Sequence, residues 1–137
     1  MGLYHTRLDC WEKGRKGILI TLGDEPLNPY LPAERLAQIT GDQVRRDVDT
    51  HALYRAVLEK YEVFHIAIDD KGDCYRWYAK DIQHSFGRLL KDRFIVSTLN
   101  SLPATILGCL ERVREADTGT SSGPRMSLGK FLLSSMR

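Results

Sequence analysis

The chain has 137 residues, 42% of them hydrophobic and 28% charged, a composition that suits one domain with a single core and does not require a bimodular protein. Twenty basic against 18 acidic residues leave a formal net charge of +2, too weak a field to gather nucleic acid or anionic lipid, so neither is an expected partner. The cysteines Cys10, Cys74 and Cys109 are an odd set without a C-x-x-C spacing, which fits reduced thiols in a cytosolic protein rather than a disulfide framework.

Residues 1–12 hold Leu3, Tyr4, Leu8 and Trp11 at helical spacing, and Lys13-Gly14-Arg15-Lys16-Gly17 stops that helix with basic residues and glycine. This segment lacks the apolar core of a signal peptide, and no run approaches the roughly 20 apolar residues of a membrane span, so a cytoplasmic protein is expected. Gly17-Ile18-Leu19-Ile20-Thr21-Leu22-Gly23 is apolar without alternation, the pattern of a strand buried on both faces of a parallel sheet. Two prolines make Asp24-Glu25-Pro26-Leu27-Asn28-Pro29 a loop at the end of that strand. A short helix is expected over residues 31–41, with proline in its first turn, glycine at its end and an apolar face of Ala33, Leu36 and Ile39.

Asp49 is placed to cap a second helix carrying Leu53, Ala56, Val57 and Tyr61, and Tyr61–Ile68 reads as the next strand. Asp69-Asp70-Lys71-Gly72-Asp73 is a turn cluster, followed by a helix marked by Ile82, Phe86, Leu89 and Leu90. A third strand is expected over residues 93–98, and Ser101 is placed to cap a last helix through Ile106, Leu107, Leu110 and Val113. Residues 1–115 then form the domain. Residues 116–137 begin in a polar stretch poor in large apolar groups and read as a flexible tail, or as a weakly docked amphipathic helix through Leu128, Phe131, Leu132 and Leu133.

Residues 5–13 together with Lys16–Glu25, then the 61–68 strand, the 77–90 helix and the 93–113 end, resemble in their order the middle and end of von Willebrand factor A-like domains, in particular an intracellular prokaryotic branch. The resemblance implies a three-layer α/β fold, a mainly parallel sheet with covering helices, equivalent to the carboxyl-terminal half of a doubly wound, Rossmann-like domain. It also implies a divalent metal at the strand ends, held by an Asp-x-Ser-x-Ser loop, a threonine loop and an aspartate after the fourth strand. Asp24 is the counterpart of that aspartate, with Glu25 beside it, while the other two elements have no counterpart. The implied site is incomplete, and any Mg²⁺ would be held weakly, because one or two carboxylates leave most octahedral positions to water. In the family the strand bearing the Asp-x-Ser-x-Ser loop lies beside the counterpart of Ile18–Leu22. Its absence leaves Ile18, Ile20 and Leu22 on an open edge, and a homodimer or a complex with another protein is expected there.

Asp24 and Glu25 sit where open parallel sheets place ligands, so they are metal or partner contacts, or a water-facing turn. Asp69 and Asp70 follow the second strand in the same way and would align four carboxylates along one edge, or form a solvated turn. His65, in an apolar strand with no nucleophile assigned nearby, reads as a satisfied interior residue. Thr21 reads as packed, Cys10 as buried, Trp11 and Trp77 as core or interface anchors, and Lys13, Arg15 and Lys16 as a solubilising loop. The histidines are scattered away from ligand spacing, so zinc is not expected. No nucleophile, phosphate loop or general base completes a catalytic set. The resulting expectation is a non-enzymatic, adaptor-like interaction domain working through its strand-end loops or open edge. The alternatives are a Mg²⁺-dependent phosphoryl-transfer or hydrolytic enzyme using Asp24 and Glu25, and a truncated product without independent function.

Overall fold

The computed structural model describes residues 2–70 and 74–119. Its strands are β1 (Gly17–Gly23), β2 (Tyr30–Leu31), β3 (Val48–Asp49), β4 (Tyr61–Ile68) and β5 (Phe94–Ser97). Its helices are α1 (Asp9–Glu12), α2 (Ala33–Thr40), α3 (Thr50–Lys60), α4 (Cys74–Leu90) and α5 (Leu102–Thr118). The fold is α/β and Rossmann-like: β1, β4 and β5 form a parallel sheet in the order β1-β4-β5, and each connection between sheet strands crosses over through helix.

Alternation along the central strand builds two cores. Tyr61, Val63 and Ala67 of β4 face α1, α3 and α4, where Ile82, Phe86 and Leu90 complete a buried cluster with Leu8, Trp11, Tyr54, Val57 and Leu58 packed around it. Phe64 and Ile66 point the other way, onto Ile95 and Cys109, beneath Leu102, Ile106 and Val113 of α5. One face of the sheet therefore carries α1, α3 and α4, and the other carries α5.

The local signals explain most boundaries. Gly41 ends α2 with φ of +75°, the left-handed conformation that only glycine adopts without strain, and Pro32 stands at its N-cap. Asp49 caps α3 by accepting the Ala52 N–H at 2.7 Å. Ser101 precedes α5 as expected, but its side chain makes no capping bond and instead accepts from Thr98 Oγ1 at 3.1 Å.

Several expectations are corrected. The helix read over residues 1–12 is confined to one turn at Asp9–Glu12; upstream, the chain is tied by the Tyr61 hydroxyl donating to the Gly2 carbonyl at 2.5 Å. The apolar face of α2 is rotated, because Ile39 is 71% exposed while Leu36 and Ala37 are half-buried. The short antiparallel pair of β2 with β3 was not expected. Trp77 is 85% exposed on α4 and is no core anchor, whereas Trp11 meets Tyr61 edge-on and donates to the Lys60 carbonyl at 3.1 Å. Of the tail expected over residues 116–137, residues 116–118 continue α5 as helix, while residues 120–137, like residues 71–73 of the Asp69–Asp73 turn, lie outside the described residues.

Candidate functional site

The strand read as buried on both faces is an edge strand. β1 is hydrogen-bonded through its main chain to β4 alone among the described residues, so its other side presents unpaired N–H and C=O groups. Leu19 joins the core under α1, α3 and α4, and Ile20 joins the core under α5, but Ile18 is 39% and Leu22 51% exposed. The cause is the placement of α5. Thr105 bonds to Ser97 of β5 at 2.8 Å, and Arg112 bonds to Asp92, just ahead of β5, at 2.5 Å. Ile106, Cys109 and Val113 face the sheet, packed with Phe64, Ile66 and Ile95. Leu107 and Leu110 lie off the sheet-facing side of α5, and both are exposed.

At the carboxyl end of β1 a cavity of about 320 Å³ is lined by Thr21, Leu22, Asp24, Glu25, Tyr54, His65 and Phe86. His65 lies opposite Thr21 in the β1–β4 register and is 4% exposed, with its ring stacked on Phe86 at 3.6 Å between centroids. Its Nδ1 is 2.8 Å from Thr21 Oγ1, and that hydroxyl also reaches the Phe64 carbonyl at 3.3 Å. Thr21 has one proton, so if it serves the carbonyl, the imidazole Nδ1–H is the donor between the two side chains. Burial pushes the imidazole pKa down to about 4, so the ring is neutral at pH 7. The expectation of a satisfied interior histidine holds for Nδ1 only, since Nε2 is buried without a partner among the described residues. Burial also raises the Tyr54 pKa, against the lowering effect of a hydrogen bond with Thr21.

Tyr54 is the residue of this cavity that sequence reading passed over. Its signal was present: Tyr54, Val57, Leu58 and Tyr61 recur at i, i+3, i+4 and i+7, a better account of the buried face of α3 than a stripe started at Leu53.

The four strand-end aspartate and glutamate residues do not assemble. Asp24 and Glu25 line the cavity without Asp69 or Asp70, and the Asp69 N–H is directed away from β1, to the Ser97 carbonyl of β5 at 2.8 Å. Among the described residues no group of three or more His, Cys, Asp or Glu side chains stands close enough to hold a metal ion. Asp24 and Glu25 therefore do not fit the octahedral oxygen demand of Mg²⁺ by themselves, and no catalytic step is drawn through one. A second cavity, of about 190 Å³, lies at the opposite end of the sheet, where Arg93 pairs with Glu62 and Arg112 with Asp92. Both guanidinium groups lie about 5.5 Å from the Phe64 ring centre. Their charges are matched by carboxylates, so this end offers no unbalanced anion site.

Cys10 is half-buried and Cys109 buried, both free, and burial raises the Cys109 thiol pKa. No helix among the described residues is long and apolar enough to cross a membrane. Comparisons with protein-family models, with curated proteins and with solved structures each returned no match.

Proposed function

We propose that this protein is an interaction domain that binds another polypeptide along the free side of β1, with Ile18, Ile20 and Leu22 as its apolar contacts and Asp24 and Glu25 as its polar ones. The observation that carries the reading is the pairing of β1, among the described residues, on one side only, in a strand with no lysine, proline or bulge to discourage addition of another strand. Strand addition supplies affinity through the main chain and specificity through alternate side chains. The von Willebrand factor A-like reading belongs to the same proposal, supported by three parallel strands in sequential order, an acidic pair after the outermost, and an open side where that family places another strand. The protein works in the cytoplasm, a reading supported by the free thiols Cys10 and Cys109.

The test is amide hydrogen exchange of β1 read beside the solution mass by light scattering, for the wild type and for a variant with Ile18→Lys and Leu22→Lys. The reading expects β1 amides to gain protection in step with formation of a larger species, and the lysine variant to lose both. A larger species in which β1 amides gain no protection, or one that the lysines leave intact, overturns it.

A further inference from the structure

Resting on the reading of β1 as a binding edge, we infer that the occupant of that edge is a second copy of this chain, paired antiparallel to the first with Ile20 on the twofold axis. The segment from Arg15 to Glu25 is complementary to its own reverse. Turned about Ile20, Ile18 meets Leu22 of the second copy, Leu19 meets Thr21, and the terminal glycines Gly17 and Gly23 meet one another. A twofold interface is self-complementary in this sense: each contact occurs twice with the roles exchanged.

The charges outside the strand decide the direction. The same rotation brings the basic pair Arg15 and Lys16, just ahead of the strand, to the end where the acidic pair Asp24 and Glu25 of the second copy follows it, so that each of the two ends of the ladder joins a basic pair to an acidic one. Parallel pairing in register would instead set lysine against lysine and aspartate against aspartate. Arg15, Asp24 and Glu25 make no side-chain ion pair or hydrogen bond among the described residues. Lys16 Nζ donates to the Leu58 carbonyl at 2.7 Å, which uses one of its three donors.

The apolar positions fix the register. Ile18, Ile20 and Leu22 share the face that carries α5, and the twofold keeps that face common to both copies. The half-exposed Ile18 and Leu22 then become cross-strand neighbours, about 4.5–5.5 Å apart at Cβ. A slip of one residue would place them opposite side chains of the other face. The two three-stranded sheets join into a single mixed sheet whose central pair is antiparallel, and the unpaired main-chain groups of β1 are satisfied. Exposed ion pairs contribute little affinity individually, but they set direction and register.

Charge reversal tests this without touching the strand. An acidic variant carries Arg15→Glu and Lys16→Glu, and a basic variant carries Asp24→Lys and Glu25→Lys. Sedimentation at low salt is expected to give the wild type twice the 15.6 kDa mass of one chain. Each variant alone should self-associate roughly a hundredfold more weakly, since every pair turns repulsive. An equimolar mixture of the two should recover a dimer that salt weakens, and one chain carrying all four substitutions should recover the homodimer. Circular dichroism confirms that each variant is folded. A wild type that stays monomeric while β1 is protected by a different protein overturns self-pairing and leaves the edge reading standing. A dimer indifferent to the reversals overturns the antiparallel register if β1 amides are protected, and overturns the edge reading as well if they are not.

Discussion

β1 and β4 are both apolar runs of strand-forming residues lying side by side in register, yet they live in different environments. β4 is central, and its Val63, Phe64, Ile66 and Ala67 are fully enclosed. β1 is outermost, and the residue paired with the buried Ile66 is the half-exposed Leu22. Similar composition thus serves two purposes. In β4 apolar side chains hold two helical layers onto one sheet, whereas in β1 only those reaching a covering helix are part of the core, and the others are available to a neighbour.

The pair Ile66 and Leu22 gives the largest contrast to break. Ile66→Ala is expected to cost about 2–5 kcal/mol in urea unfolding, by lost burial and by the cavity left between sheet and α5. Leu22→Ala, measured in the monomer, should cost less than about 1 kcal/mol because half of its side chain is already in water. Equal losses at the two positions would show that the edge is covered. Where β1 is occupied by a second copy, the Leu22 value should rise with protein concentration, while the Ile66 value also retains its full intrachain cost.

Two further changes test the seam between the strands. Gly17 stands in β1 against the start of β4, and a Cβ there would run into Leu8 Cδ1 and meet the Tyr61 ring at 3.0 Å. Gly17→Ala should destabilise by about 1–3 kcal/mol, by forcing α1 off the sheet or the tyrosine off its rotamer.

His65 makes the seam sensitive to acid. Its native pKa of about 4 lies below the usual value of 6.5, so the unfolded chain takes up a proton on this residue at a higher pH than the folded chain. Stability is therefore expected to fall as pH drops from about 6.5 toward 4 and to lose nothing more from this residue below that, by about 3 kcal/mol in all. Urea midpoints at pH 7, 5 and 4 measure it, and His65→Phe, which keeps a ring against Phe86, should remove that part of the pH dependence. The smallest expected effect away from the edge is Asp49→Ala, about 1 kcal/mol, from loss of the bond that caps α3.

Much of the secondary structure was legible in the residues. β1 and β4 fall where their apolar runs lie, Asp49 caps α3 as its position required, and the glycine after α2 takes the left-handed conformation. These features depend on neighbours within a few positions along the chain. Asp24 and Glu25 were likewise legible as strand-end residues, since the strand and the following prolines place them. The cavity they line was not, because it requires Thr21 and His65 to be adjacent across the sheet and Tyr54 to be presented by α3, and no pattern along the chain encodes that proximity. Asp69 and Asp70 show the converse: the same strand-end position did not bring them to Asp24, since Asp69 is drawn toward Ser97 of β5.

By itself, then, the amino-acid sequence determined an α/β chain with apolar strands, capped helices, small net charge and an acidic turn after β1, because helix and strand preferences, caps and turns are short-range. Only the tertiary structure decided that, among the described residues, β4 is enclosed while β1 stands at the edge, that α5 shields one flank of the sheet and leaves Ile18 and Leu22 half in water, and that a histidine is buried with one nitrogen unserved. Burial is a property of what packs against a residue from elsewhere in the chain, and two strands of like composition acquire opposite roles when strand order places one inside the sheet and the other at its boundary.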